Sequence, residues 1–79
     1  MEFQYTRMQG HKFTYQVTLN VLCNAETGGM SYWARVRRND VNVGLTQRGH
    51  LQATDPTSAL QEARERVTRN IEDLTGVIE

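Results

Sequence analysis

The strongest pattern in the sequence is the alternation of apolar and polar residues over His11–Asn24. Every second residue from Phe13 to Cys23 is apolar and the residues between them are polar, with Leu22 as the exception. A period of two over this length predicts an antiparallel strand with one face on a core and the other on solvent. The pattern therefore indicates which side chains remain for a partner, although it does not identify that partner.

Two further alternating segments predict strands that pair with the first one. Turn-forming residues at 24–29 and a tight two-residue turn at Asn39-Asp40 separate the alternating segments 30–38 and 41–46 from each other and from the first strand. These turns set a register in which the apolar residues share one face, and a slip of one residue would separate them. The predicted pairs are Cys23 with Met30, Val21 with Tyr32, Leu19 with Ala34, Val36 with Val43, Ala34 with Leu45 and, on the polar face, Arg35 with Gly44.

The ends of this three-stranded antiparallel meander are less regular. In residues 1–10, Phe3 and Tyr5 alternate with polar residues, which predicts either a fourth strand or an arm folded over a sheet edge. Within residues 47–53, Gly49 is expected to mark a bulge or the end of the third strand.

A C-terminal amphipathic helix follows the strands. Asp55 or Thr54 is expected to cap it, and Pro56 is tolerated in its first turn because that backbone nitrogen has no helical partner. Gly76 is the predicted left-handed stop. The apolar positions recur at helical spacing and belong on the sheet: Leu60, Ala63, Val67, Ile71, Leu74 and Ile78. The predicted fold is α+β, with order β-β-β-α, one sheet face under the helix and the other face open.

Length and composition limit the remaining possibilities. The 79 residues predict a single domain over residues 1–79, small enough that self-association would add stability. The single cysteine excludes an internal disulfide, and Cys23 on the apolar face is expected to be buried. No segment has the apolar length of a membrane span or the apolar region of a signal peptide, so a cytoplasmic location is expected. The net charge of zero divides into +3 over residues 30–50 and −3 over residues 51–79.

Motifs for catalysis, metals or cofactors are missing from the sequence. Gly28 and Gly29 lie in a hairpin and no helix follows them, which excludes a phosphate-binding loop. The residues His11, Cys23 and His50 are far apart and lack the spacing of metal ligands. We therefore expect no catalytic residue, no metal, no cofactor, no small-molecule ligand and no enzymatic activity.

The open sheet face is the first candidate contact surface. Trp33, Arg35 and Arg37 point outward from the second predicted strand, and Arg48 joins them from the third. One aromatic ring beside arginines is the minimum needed to stack a base and neutralise a phosphate. Gly44 would leave a gap beside the ring. The structural alternative is that arginine stems pack the ring as ordinary cross-strand stabilisation.

The edge of the first strand is the second candidate surface, because it has no proline and its only charge is at its start. Two copies could pair there around a two-fold axis. The alternative is that residues 1–10 cover this edge. The pairing residues would be Thr14, Gln16, Thr18 and Asn20.

The strands followed by Ala53–Ala63 (ATDPTSALQEA) resemble in layout the end of the small HicB-type antitoxin domains, which also finish with a capped helix rich in alanine and carboxylates. The chain lacks the proline-and-glycine segment that those domains carry between strand and helix, so the resemblance is one of layout only.

Three functions follow from these patterns. The first is a non-catalytic binding or regulatory module that contacts a protein partner or pairs with itself as a homodimer. The alternative is a nucleic-acid-binding domain that uses the open basic face around Trp33. An enzyme would require His11, His50 and Cys23 to converge in space.

Overall fold

In a computed structural model of the chain, which describes residues 1–78, one antiparallel sheet packs against one C-terminal helix. This confirms the predicted α+β class, and residues 2–6 form an additional strand. The elements are β1 (Glu2–Thr6), β2 (Thr14–Cys23), β3 (Met30–Arg38), β4 (Val41–Asn42), β5 (Gln47–Leu51) and α1 (Pro56–Asp73). The sheet order is β1-β2-β3, and β4 and β5 both pair with the remaining edge of β3.

The two predicted hairpins are present. The pairs between β2 and β3 are those expected from the alternation, including Leu19 opposite Ala34. Asn39 and Asp40 have φ values of 53° and 63°, which is the conformation of a two-residue turn whose twist matches that of the strands. The Val43 amide then donates to the Val36 carbonyl at 3.1 Å, as the predicted register requires.

Beyond Val43 the predicted register is wrong. Ala34 lies opposite Gln47, whereas Leu45 leaves the sheet and is 79% exposed. The shift amounts to two residues, so the alternation of faces is retained when pairing resumes in β5. Gln47 consequently points inward, where its side-chain oxygen accepts a hydrogen bond from the Asn70 amide at 2.8 Å.

The two glycines in this part of the chain, Gly44 and Gly49, have other roles than those predicted. Gly44 pairs with Val77 near the C-terminus and not with Arg35, so the predicted gap beside Trp33 does not exist at this position. Gly49 lies inside β5 and does not end it. A Cβ atom at Gly49 would be 2.9 Å from the Tyr32 ring, so the missing side chain makes room for that ring on the core side.

Helix α1 begins as predicted and ends differently. The Asp55 carboxylate caps it by accepting a hydrogen bond from the Ser58 amide at 2.9 Å, and this bond is the main reason that the pKa of Asp55 is lowered. The left-handed stop is Leu74, with φ of 53°, and not Gly76. Val77 is buried, whereas Ile78 is 68% exposed and therefore does not extend the apolar stripe. The helix residues that are buried against the sheet are Ala59, Ala63, Val67 and Ile71.

Cys23 is exposed, so the prediction of a buried thiol was wrong. Cys23 does pair with Met30, as predicted, at a position of β2 that faces the core side of the sheet. The N-terminal strand, however, reaches along β2 only to Leu19, whose carbonyl accepts from the Met1 ammonium at 2.8 Å. The end of β2 that carries Cys23 therefore projects past this neighbour.

The segment after β1 is fastened to the end of the helix through Glu72. Its carboxylate accepts hydrogen bonds from the Tyr5 hydroxyl at 2.5 Å and the Met8 amide at 2.6 Å, and its carbonyl accepts from the Arg7 guanidinium at 2.8 Å. The Tyr5 bond is the largest cause of the lowered pKa of Glu72, whereas burial, followed by this same bond, raises the pKa of Tyr5 to about 12. These contacts hold the end of β1 and the segment after it against the C-terminal end of α1.

Candidate functional site

Three of the four predicted contact residues lie together on the sheet face that the helix leaves uncovered. Trp33 lies between the buried residues Tyr32 and Ala34 and therefore points to the open face. Arg48 lies directly opposite it on β5. The guanidinium carbon of Arg35 is 6.0 Å from the centroid of the Trp33 ring, within the range of a cation–π contact.

Arg37, the fourth predicted residue, is held by other groups. Its guanidinium is 3.6 Å from the Glu2 carboxylate and donates to the Thr18 hydroxyl at 3.5 Å, and its side chain is only 34% exposed. This arginine therefore joins β3 to β2 and β1. It is less available to a partner than Arg35 and Arg48, which are exposed and form no salt bridge within residues 1–78.

Two cavities on this face adjoin Trp33. The larger, of about 390 Å³, is lined by Trp33 and Arg48 together with Leu22, Ser31 and His50. The smaller, of about 280 Å³, shares Trp33 and Arg48 and is completed by Arg35 and Thr46. We call these seven residues the Trp33 surface. Among the residues that the structure describes, neither cavity is lined by a carboxylate.

Sequence reasoning missed four members of the Trp33 surface as site residues: Leu22, Ser31, Thr46 and His50. Leu22 was visible as the one apolar residue on the polar face of its strand, and it is 52% exposed. Ser31 lies between Leu22 and His50 across the sheet. The position of His50 depends on the register of β5, which the local pattern does not reveal.

The carboxylates of α1 serve the fold. Glu62 accepts hydrogen bonds from the backbone amides of Gln52 at 3.0 Å and Ala53 at 2.9 Å, and its carboxylate lies 2.9 Å from the Arg66 guanidinium. The bond from Gln52 is the main cause of its lowered pKa. Arg66 in turn donates to the His50 carbonyl at 2.7 Å, which occupies one acceptor on the outer edge of β5.

The edge of β2 is largely covered by β1. Thr14, Gln16 and Thr18 lie opposite Thr6, Gln4 and Glu2, in the same order. Pairing of two copies through these three residues is therefore blocked while β1 is in place. The structure agrees with the predicted alternative, in which the N-terminal segment covers this edge. Asn20 lies beyond the end of β1, opposite Trp33.

The remaining residues with candidate chemistry stay apart. No group of three or more histidine, cysteine, aspartate or glutamate side chains within residues 1–78 is placed to hold a metal ion. His11 packs near Phe13, with ring centroids 5.4 Å apart, whereas His50 belongs to β5. Within the same residues, no helix combines the length and the apolar character needed to cross a membrane.

Comparison of the chain with protein-family models, with curated proteins and with solved structures found no match.

Proposed function

We propose that the protein is a small non-catalytic binding module that contacts nucleic acid through the Trp33 surface. The observation that carries this proposal is the convergence of Trp33 with Arg35 and Arg48 on an uncovered sheet face. A half-buried aromatic ring on an open sheet face can stack on a base. Arginines that form no salt bridge within residues 1–78 can neutralise phosphates. The outward face of a sheet presents both kinds of group at once.

The distribution of charge supports an anionic partner. The segment that contains β3, β4 and part of β5 carries +3, and the following segment with the helix carries −3. The helix packs on the opposite side of the sheet from Trp33. A molecule with this arrangement turns its basic side toward a polyanion and its acidic side away from it.

Oligonucleotide binding measured over a range of salt concentrations tests the proposal. For single strands, log K falls with log salt with a slope of about −0.7 for each phosphate neutralised. Arg35→Gln and Arg48→Gln should each weaken binding at low salt and reduce this slope by about 0.7. Arg69→Gln removes the same charge from an exposed helix position and serves as the matched control. Equal effects of all three variants would contradict a contact at the Trp33 surface.

Self-association is a second candidate, because β2 projects past β1 and leaves Leu22 52% exposed and Cys23 exposed. A protein partner could use the same end of the sheet. Sedimentation equilibrium over a range of concentrations should then show a dimer that Leu22→Asp dissociates. A monomer at every concentration would reject self-association.

A further inference from the structure

The shape of the open face distinguishes between forms of nucleic acid. We infer that the protein binds a single strand, with one unstacked base held in the larger cavity of the Trp33 surface. The inference rests on the proposed function and adds to it the form of nucleic acid and the placement of a base.

The width of the sheet is the first argument. At the level of Trp33 the sheet is three strands wide, β2-β3-β5, because β1 ends before Asn20. With neighbouring strands about 4.8 Å apart, the outer strands of this row are about 10 Å apart before side chains are added. The major groove of B-form DNA is about 12 Å wide and accepts a helix or a two-stranded ribbon. A three-stranded sheet with its side chains is wider than such a ribbon, so Trp33, on the central strand, does not reach the base edges of a duplex.

The lining of the larger cavity is the second argument. Its volume of about 390 Å³ falls in the range of about 300–1,000 Å³ that is typical of small-ligand sites. Trp33 provides an aromatic surface and Leu22 an apolar one, while Ser31 and His50 provide hydrogen-bonding groups. A flat heteroaromatic ring with polar edges fits this combination. Bases in a duplex are paired and stacked, so only an unpaired base can enter.

The smaller cavity indicates where the backbone of the strand runs. It adjoins the first through the shared residues Trp33 and Arg48, and it contains Arg35. Arg35 is two residues along β3 from Trp33, which is about 6.8 Å in an antiparallel strand. A base against Trp33 thus leaves the two arginines to contact the phosphates beside it. The bound strand would occupy both cavities and run along β3.

The test compares a short single-stranded oligonucleotide with a duplex of the same sequence at low salt. Trp33 is the only tryptophan, so quenching of its fluorescence reports on the site directly. We expect quenching by the single strand, with an affinity at least about tenfold higher than for the duplex. Base stacking on an aromatic side chain contributes a factor of about 5 to about 150 in affinity.

Ser31→Leu fills the larger cavity without altering Trp33 or the arginines, so it should weaken single-strand binding by a factor in that range. His50→Ala, which removes a lining group without adding bulk, should weaken it as well. Gln4→Leu makes a similar change on the same face but away from both cavities, and should have little effect.

The outcomes separate the two proposals. Equal affinity for single strand and duplex, or no effect of either cavity variant, would overturn the single-strand inference and leave nucleic-acid binding in place. Failure of both nucleic acids to bind at low salt would overturn the proposed function together with the inference, and would favour a protein partner.

Discussion

Replacing Gly44 with alanine tests how residues 76–78 are held against the sheet. A Cβ atom at this position would lie 2.0 Å from the Gly76 carbonyl oxygen and 3.0 Å from the Val77 Cα atom. Both neighbours are backbone atoms, so no side-chain rotation can relieve the contact. The C-terminal segment must therefore move away from residues 43–45.

The cost of this movement follows from the contacts that would be lost. The Leu45 amide donates to the Gly76 carbonyl at 3.1 Å, and the Ile78 amide donates to the Val43 carbonyl at 2.5 Å. Each bond contributes about 1 kcal/mol to stability. Val77 is 5% exposed, and returning its side chain to water costs about 1.5–3 kcal/mol. The total is about 4 kcal/mol, a large share of the stability of a small domain, which is on the order of 5–15 kcal/mol.

Urea denaturation followed by circular dichroism measures the change in the free energy of unfolding. Gly28→Ala is the matched control, because a Cβ atom there meets nothing within 4 Å and the only cost is the positive φ of 70°. That cost is about 1–2 kcal/mol. If Gly44→Ala loses no more stability than Gly28→Ala, residues 76–78 are not packed as described.

Three further predictions concern stability and exposure. Ile71→Ala removes a fully buried side chain and should lower the free energy of unfolding by about 2–5 kcal/mol, the range found for such core substitutions, in chemical denaturation. A loss below about 1 kcal/mol would contradict its core position. Because the pKa of Tyr5 is about 12 in the folded protein, above its ordinary value of 10.0, the folded state holds this proton more tightly; the resulting stabilisation is present below pH 10 and is lost as the pH rises towards 12. Tyr5→Phe should lack this alkaline loss when the free energy of unfolding is measured at each pH. If the free energies of unfolding of the two proteins differ by the same amount at every pH, the assignment is wrong. Cys23 should react with a thiol reagent in the native protein about as fast as in denaturant, and protection in the native state would show that it is buried after all.

The parts of the fold that follow from local patterns could be predicted from the sequence. The long alternation in β2 and β3 and the turn at Asn39-Asp40 determine the hairpins, because a slip would expose the apolar face. The change of register after Val43 could not be predicted in this way, since Gly44 pairs with Val77, which follows the C-terminal end of α1 and is distant in sequence. Leu45 fits the alternation, yet it is exposed because that contact redirects the chain.

The candidate site, like the fold, could be predicted only where it depends on local patterns. Trp33 and Arg35 follow from the alternation within one strand. Arg48 was placed on the correct face because the two-residue shift retains the alternation, whereas its position directly opposite Trp33 depends on the true register of β5. The ion pair of Arg37 with Glu2 requires the docking of β1, which the sequence left open.

An amide-correlation NMR titration with an unlabelled single-stranded oligonucleotide, at low and moderate salt, locates the contact surface residue by residue. If the Trp33 surface is the interface, the Trp33 indole signal and the amides of Arg35, Arg48 and His50 should shift in a saturable manner. These shifts should become smaller as salt is added, and the amide of Arg69 on the helix should not move. Shifts confined to the helix, or no shifts at low salt, would contradict a nucleic-acid interface on the open face of the sheet.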